Sequence, residues 1–121
     1  MKEENQNIIL EFINKKIIYV DEDGNVYKNN YKGREGEVEK LTVFNHQQGY
    51  GYINLYCNKK HMHFLHHHVV WLFFNGRIEE GLQINHKDLD KKNNKIENLE
   101  VVTDRENKRH AFKNKSNRRN Q

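Results

Sequence analysis

The chain contains no proline and only one cysteine, Cys57, in 121 residues. A lone cysteine cannot close an internal disulfide, which excludes a stapled secreted scaffold and makes a reducing compartment the expectation. The absence of proline excludes collagen-like and proline-rich linker architectures. No apolar run approaches the ~20 residues needed to cross a bilayer, so no membrane partner is expected. The opening residues, MKEENQNIILEF, place acids where a secretory leader needs bases and then an apolar stretch.

Apolar residues are scarce too. The set AVILMFWYC makes up 35% of the chain and charged residues 31%. Ordinary globular chains run at about 45–50% apolar, counting Gly and not Tyr, and about 25% charged. Six Tyr and seven Gly nearly cancel here, so the definition of the set does not explain the gap. The length suits one domain with a small core, whose stability leans on a ligand or partner. Full disorder is excluded by thirteen aromatic residues in patterned clusters.

The formal net charge of +4 is unevenly placed. From Arg105 to Gln121 seven bases (Arg105, Lys108, Arg109, Lys113, Lys115, Arg118 and Arg119) face one acid, Glu106. Residues 1–104 hold fourteen bases and sixteen acids. Basicity is therefore a property of the C-terminal end. Charge alone leaves open a solubilising tail or a phosphate-contacting arm.

Residues 1–7 are polar and expected to fray. Ile17 to Val20, the turn cluster Asp21-Glu22-Asp23-Gly24-Asn25, and Val26-Tyr27 read as a β-hairpin. Residues 28–40 lack periodicity and read as a long loop. Strands are expected at Leu41–Phe44, Tyr50–Tyr56 and His61–Leu65, with turns at Asn45–Gly49 and Asn58–Lys60. Beyond His66, the spacing of Val69, Val70, Phe73 and Phe74 predicts one buried helix face, ended by Asn75-Gly76. Short strands follow at Leu82–Ile84 and Leu99–Val102, flanking a polar loop from Lys87 to Glu97. Thr103 and Glu106 form a capping box for a helix reaching about Lys113.

The unit after Gly76 is thus strand, polar loop, strand, capped helix. His86 ends its first strand, Asn98 opens its second twelve residues on, and Asn107 lies one turn into the helix. Such a unit brings strand end and helix face together. Asn85 and Asn107 then offer two amide oxygens, and hard divalent cations take oxygen ligands. His86 beside them has the side-chain pKa suited to proton abstraction near neutrality.

The residues Asn85-His86-Lys87-Asp88, then Asn93-Asn94, Asn98-Leu99-Glu100, Val102-Thr103 and Glu106-Asn107 resemble the HNH nuclease motif, also called the ββα-metal or His-Me finger. The version is that of phage and intron-encoded homing endonucleases. His67-His68-Val69-Val70-Trp71-Leu72-Phe73-Phe74 is similar to the helix preceding that motif. Val20 to Tyr27 and Gly49 to Leu55 resemble the small β module often found upstream. The resemblance covers most of residues 17–112. It implies an α+β fold: an antiparallel β module over residues 1–65, a helix and ββα finger over 66–113, and a basic tail over 114–121. The setting it implies is a bacterial cytoplasm, or a host cell holding a phage- or virus-encoded protein.

The resemblance also assigns roles by position. His86 is the general base that activates water, and Asn98 ties the loop to the strand so that His86 is oriented. Asn85 and Asn107 ligate one divalent ion, Mg2+ ahead of Mn2+ and Zn2+. The family often has Asp at the position of Asn85, and the neutral residue lowers the charge of the site. His110 is an alternative ligand, and His67 matches a family position near the site or a phosphate. DNA is the partner, contacted by Lys87, Arg105, Lys108, Arg109, Lys113, Lys115, Arg118 and Arg119. One site per chain implies nicking by a monomer; a double-strand break needs a homodimer or two events.

Blander readings stand beside these. The histidines at 61, 63, 66, 67 and 68 suggest zinc, but without Cys-x-x-Cys spacing a surface patch is the expectation for His61 and His63. Trp71, Phe73 and Phe74 are expected in the core, and Tyr50, Tyr52 and Tyr56 to pack. The functional alternatives are an HNH-fold DNA-binding module that has lost its chemistry, and an RNA-binding or structural phage protein, for which no stacking motif is present.

Overall fold

The structure, a computed structural model, describes residues 2–29, 38–57 and 59–107. It is an α+β fold with three small antiparallel sheets, and the strand orders are β1-β2-β3, β4-β5-β6 and β7-β8.

The first element is a helix, α1, Glu3–Asn14. This corrects the expectation that residues 1–7 fray. Glu3 and Glu4 complement the positive helix start, and Ile9 is fully buried. Gln6 is also buried, and its amide pairs with the backbone of Ile78 in both directions: Ile78 N donates to Oε1 at 2.8 Å and Nε2 donates to the carbonyl at 3.4 Å. That pairing spans seventy-two residues, so no local pattern announces it.

The hairpin forms as expected. β1 (Ile18–Val20) pairs with β2 (Val26–Asn29) in the register Val20↔Val26. Asp21 builds the turn. Its carboxylate accepts from Asp23 N, Asn25 N, the Asn25 amide and the Tyr27 hydroxyl, all at 2.9–3.1 Å. Burial works to raise its pKa, but these hydrogen bonds prevail and lower it overall. The long loop assigned to 28–40 is corrected at both ends. β2 runs to Asn29, and β3 (Val38–Lys40) returns to pair with it.

In the second sheet, β4 is only Phe44–Asn45, so the strand expected at Leu41–Phe44 shrinks to its last residue. β5 (Gly51–Cys57) and β6 (Lys60–Leu65) form a long hairpin. Gly51, Ile53, Leu55 and Cys57 are buried while Tyr52 and Asn54 are half-buried and Tyr56 is exposed, the period-two signature of a half-buried strand. Tyr52 and Tyr56 therefore stay out of the core and meet His63 and His61, with ring centroids 5.0 and 4.9 Å apart. Both histidines are exposed, as expected.

α2 (His66–Asn75) ends at Gly76, whose φ of 78° is a left-handed conformation that glycine adopts without a Cβ clash. Its buried arc is wider than expected and differently centred. His66, His67, Val69, Val70 and Leu72 are buried, whereas Phe74 is exposed. The reason is that α2 packs against α1, β1, β5, β6 and β7 at once, so both of its flanks are covered. Phe73 instead lies edge-on to Tyr19 at the rim, at 5.3 Å.

β7 (Leu82–His86) and β8 (Leu99–Thr103) pair with Asn85 opposite Glu100 and His86 opposite Leu99. A 3-10 turn, Ile96–Asn98, ends the connecting loop. Residues 104–107 are helical, and the capping box is present: Thr103 N donates to Glu106 Oε2 at 3.1 Å, and Glu106 N to Thr103 Oγ1 at 3.2 Å. One apolar cluster joins all of this, from Ile9 through Val20, Ile53 and Val69 to Ile84 and Leu99.

Candidate active site

The β7 strand delivers Asn85 and His86 to its end, and both are buried. The helical turn at 104–107 carries Asn107 back toward them. Tyr50, Ile84, Asn85, His86, Leu89, Lys91 and Asn107 line one open cleft of about 290 Å3. A second hollow, about 320 Å3, adds His67, His68 and Gln83 beside Tyr50 and Asn107.

Hydrogen-bond polarity fixes how the two amides point. Asn85 Nδ2 donates to Glu100 Oε1 at 2.9 Å, and a carboxylate can only accept, so Oδ1 of Asn85 is left over. Gln83 Nε2 donates to Asp104 Oδ1 at 3.0 Å, and Asn107 Nδ2 donates to Gln83 Oε1 at 2.9 Å. This chain also ends on a carboxylate, so its polarity is equally fixed. Asn107 likewise has its nitrogen engaged, which leaves Oδ1 without a hydrogen bond among the described residues.

His86 is held on one side. Its Nε2 meets Asn94 Oδ1 at 2.7 Å. Among the described residues Nδ1 has no hydrogen-bond partner, and it is not among their fully buried unpaired atoms. Asn98 fastens the loop between β7 and β8. Its carbonyl accepts from Lys87 N at 2.9 Å and its Oδ1 from Asp88 N at 3.2 Å. Its Nδ2 donates to Asp88 Oδ1 at 3.0 Å and to the Asn93 carbonyl at 2.8 Å. The Asn93 side chain reaches Asp88 Oδ2 at 2.7 Å, and this bond, followed by the one from Asp90 N, lowers the Asp88 pKa.

His67 lies 4.9 Å from His86 and 5.1 Å from Tyr50, centroid to centroid, and its Nδ1 is buried without a partner. Burial, then the neighbouring His68 and His86, pushes its pKa down to about 2. Burial brings His68 down to about 4. An unfolded histidine titrates near 6.5, so below that pH the unfolded chain binds protons that the folded chain refuses. Stability is therefore complete above pH 6.5 and falls as pH drops, by about 1.4 kcal/mol per pH unit for a fully buried histidine. Unfolding in urea at pH 5 is expected to show a midpoint below that at pH 7, with His67 alone contributing about 2 kcal/mol. Equal midpoints would contradict a neutral, buried His67.

Of the cations expected to contact DNA, Lys87 and Arg105 are exposed, and Lys87 Nζ donates to the Glu97 carbonyl at 3.1 Å. Lys108, Arg109, His110, Lys113, Lys115, Arg118 and Arg119 lie outside the described residues. Among the described residues, no group of three or more His, Cys, Asp or Glu is placed to hold a metal ion. None of their helices is long and apolar enough to cross a membrane.

Sequence reasoning missed several members of the site. Tyr50, expected to pack, forms a wall of the cleft, and Lys91 Nζ sits 4.6 Å above its ring while donating to the Gln48 carbonyl at 2.9 Å. Lys92 reaches Asn45 Oδ1 at 2.7 Å. These lysines pin the turn before β5 to the loop after β7. Glu100, which turns Asn85, could have been found from strand register alone; Gln83, which turns Asn107, could not, because Asn107 lies outside the strands.

Residues 64–109 match the family model for HNH endonuclease. The chain is 44% identical over 50 residues to YosQ of Bacillus subtilis (strain 168), an SPbeta prophage-derived protein named for HNH homing endonucleases. That match covers 41% of this chain and 29% of YosQ. The fold is similar to that of I-HmuI, an HNH homing endonuclease that binds and cleaves DNA, with a TM-score of 0.66 and 31% identity. It covers 80% of this chain and 52% of that one. The chain thus spans about a third and a half of the lengths of these two relatives. A β-strand, loop, β-strand and capped helix thus carry a cleft within a segment, residues 64–109, that is similar to the HNH endonuclease family, on a fold similar to that of I-HmuI.

Proposed function

We propose that the chain is a divalent-metal-dependent DNA endonuclease that nicks one strand per encounter, with His86 as its general base. The observation that supports this reading is that Asn85, His86 and Asn107 line one cleft, with both amide nitrogens and His86 Nε2 bonded to other residues, which leaves two amide oxygens and one ring nitrogen as its acceptors. Two amide oxygens with their nitrogens tied back suit a hard cation, which takes oxygen ligands and leaves positions for water and phosphate. Asn85 and Asn107 would hold one Mg2+ or Mn2+, which when bound supplies positive charge at the scissile phosphate and the departing 3′ oxygen.

The protein's own residues do the rest. His86 Nδ1 accepts the proton of a water aimed in line at phosphorus, while Nε2 stays bonded to Asn94. Asn98 keeps the loop from sliding and so keeps the ring in place. Lys87, Lys91 and Arg105 offer charge to backbone phosphates. That charge carries no sequence information and makes binding salt-dependent. The basic residues beyond 107 add positive charge to the chain in this proposal.

The deciding experiment is nicking of supercoiled plasmid with and without metal. EDTA is expected to stop the reaction, and added Mg2+ or Mn2+ to restore it. Nicking that persists in chelator overturns the metal reading. DNA binding without nicking in any divalent ion favours a binding module that has lost its chemistry.

A further inference from the structure

We propose that Asn94, His66 and the Gly24 carbonyl form a positioning relay that dictates which ring nitrogen of His86 faces the cleft. The inference rests on His86 being the base. Three hydrogen bonds make up the relay. His86 Nε2 meets Asn94 Oδ1 at 2.7 Å, Asn94 Nδ2 meets His66 Nδ1 at 3.0 Å, and His66 Nε2 meets the carbonyl of Gly24. His66, Asn94 and His86 are all buried, so water cannot replace a missing bond cheaply.

The direction of every bond follows from one end. A backbone carbonyl only accepts, so His66 Nε2 must carry the proton. His66 is neutral, because burial lowers its pKa and because it opens α2, where the helix dipole disfavours a cation. Its Nδ1 is then a lone pair, and Asn94 must present Nδ2 to it. The other end of the same amide, Oδ1, is left facing His86. His86 Nε2 must therefore donate, and its lone pair is forced onto Nδ1, the nitrogen open to the cleft. The opposite tautomer of His86 would reverse each bond in turn. It would set the His66 Nε2 lone pair against the Gly24 carbonyl oxygen with no proton between them.

The far end of the relay is itself fixed. Gly24 has φ +86°, and a Cβ built there would lie 2.3 Å from the Asn94 carbonyl oxygen, so hairpin turn and nuclease loop are in backbone contact. Ile96 N also donates to the Glu22 carbonyl at 3.3 Å. The β1–β2 turn is thereby part of the apparatus that sets the protonation pattern of the base.

Long-range 1H–15N correlation spectra of the 15N-histidine-labelled chain at neutral pH test this directly. Both His66 and His86 are expected as the Nε2–H tautomer. An Nδ1–H signal for His86 in the unsubstituted chain overturns the relay, whatever any variant does. His66→Leu is expected to shift the His86 signals toward a mixed tautomer. It should also lower the nicking kcat about 10- to 100-fold while KM for DNA stays constant. Unchanged His86 signals and kcat in that variant overturn it as well. Asn94→Asp, which still accepts from His86, should keep more of the kcat than Asn94→Leu; equal losses count against the relay. Failure of the base reading is separable, because it is seen as normal nicking by His86→Ala and leaves the tautomer result standing.

Discussion

His86→Ala is expected to lower the rate of plasmid nicking by about 10^2- to 10^4-fold, the usual span for loss of a general base, with DNA affinity unchanged within a few-fold. The split follows from position. His86 lies at the floor of the cleft, 5% exposed, while the exposed cations that suit phosphate, Lys87 and Arg105, stand outside it. Among the described residues that line the cleft, His86 is the one histidine, so removing its imidazole takes away their ring nitrogen and leaves those cations in place. His67, the nearest ring, is no substitute, because its pKa near 2 makes it too weak a base to hold the water's proton at neutrality. The measurement is single-turnover nicking at saturating protein, beside a binding titration on the same DNA. Nicking at the unsubstituted rate would remove His86 from the reaction. A parallel loss of affinity would mean that the ring holds DNA and does not act on water.

Gly24→Ala is expected to be the most destabilising one-methyl change in the hairpin. Two independent costs add. A residue with a Cβ at φ +86° takes on the strain of the left-handed region, about 1–2 kcal/mol. The methyl would also lie 2.3 Å from the Asn94 carbonyl oxygen and 2.8 Å from its carbon, both backbone atoms. Neither can swing aside as a side-chain tip could, so the two segments must part, at a further cost of about 1–3 kcal/mol. Together these lower Tm by roughly 10 °C. Gly76 and Gly81 give the control: they share a positive φ, but a Cβ there meets nothing within 4 Å. Gly76→Ala should therefore show only the conformational cost, and equal melting of the two variants would refute the contact.

Where structure follows from neighbours along the chain, the sequence was readable. The hairpin turn announced itself through Asp21 and Gly24, β5 through its alternation, and the capped helix through Thr103 and Glu106. That Asn85, His86 and Asn107 share one cleft follows from the strand, loop, strand and capped helix that the sequence spells out. What escaped reading depends on partners far away in sequence. The start of α1 looks frayed because EENQN has no apolar residue, yet Gln6 closes two bonds to Ile78. β3 pairs across the stretch 30–37, which carries no strand signal of its own. Asn94 read as one more loop amide. Its importance rests on Gly24 and His66, seventy and twenty-eight residues away. Phe74 was misplaced because periodicity gives a stripe but not the number of elements that will cover it.

The contact between the first hairpin and the nuclease loop bears on how such proteins can be recombined. The family match begins at residue 64, and a cut there looks like a natural seam for moving the matched segment onto another protein. The structure places the seam elsewhere. A transplant of residues 64–107 alone would arrive with a His66 ring facing no carbonyl and Ile78 exposed where Gln6 had been. An exchange that keeps these contacts carries α1 and the first hairpin along. The inheritable unit is longer than the motif by nearly the whole front of the chain.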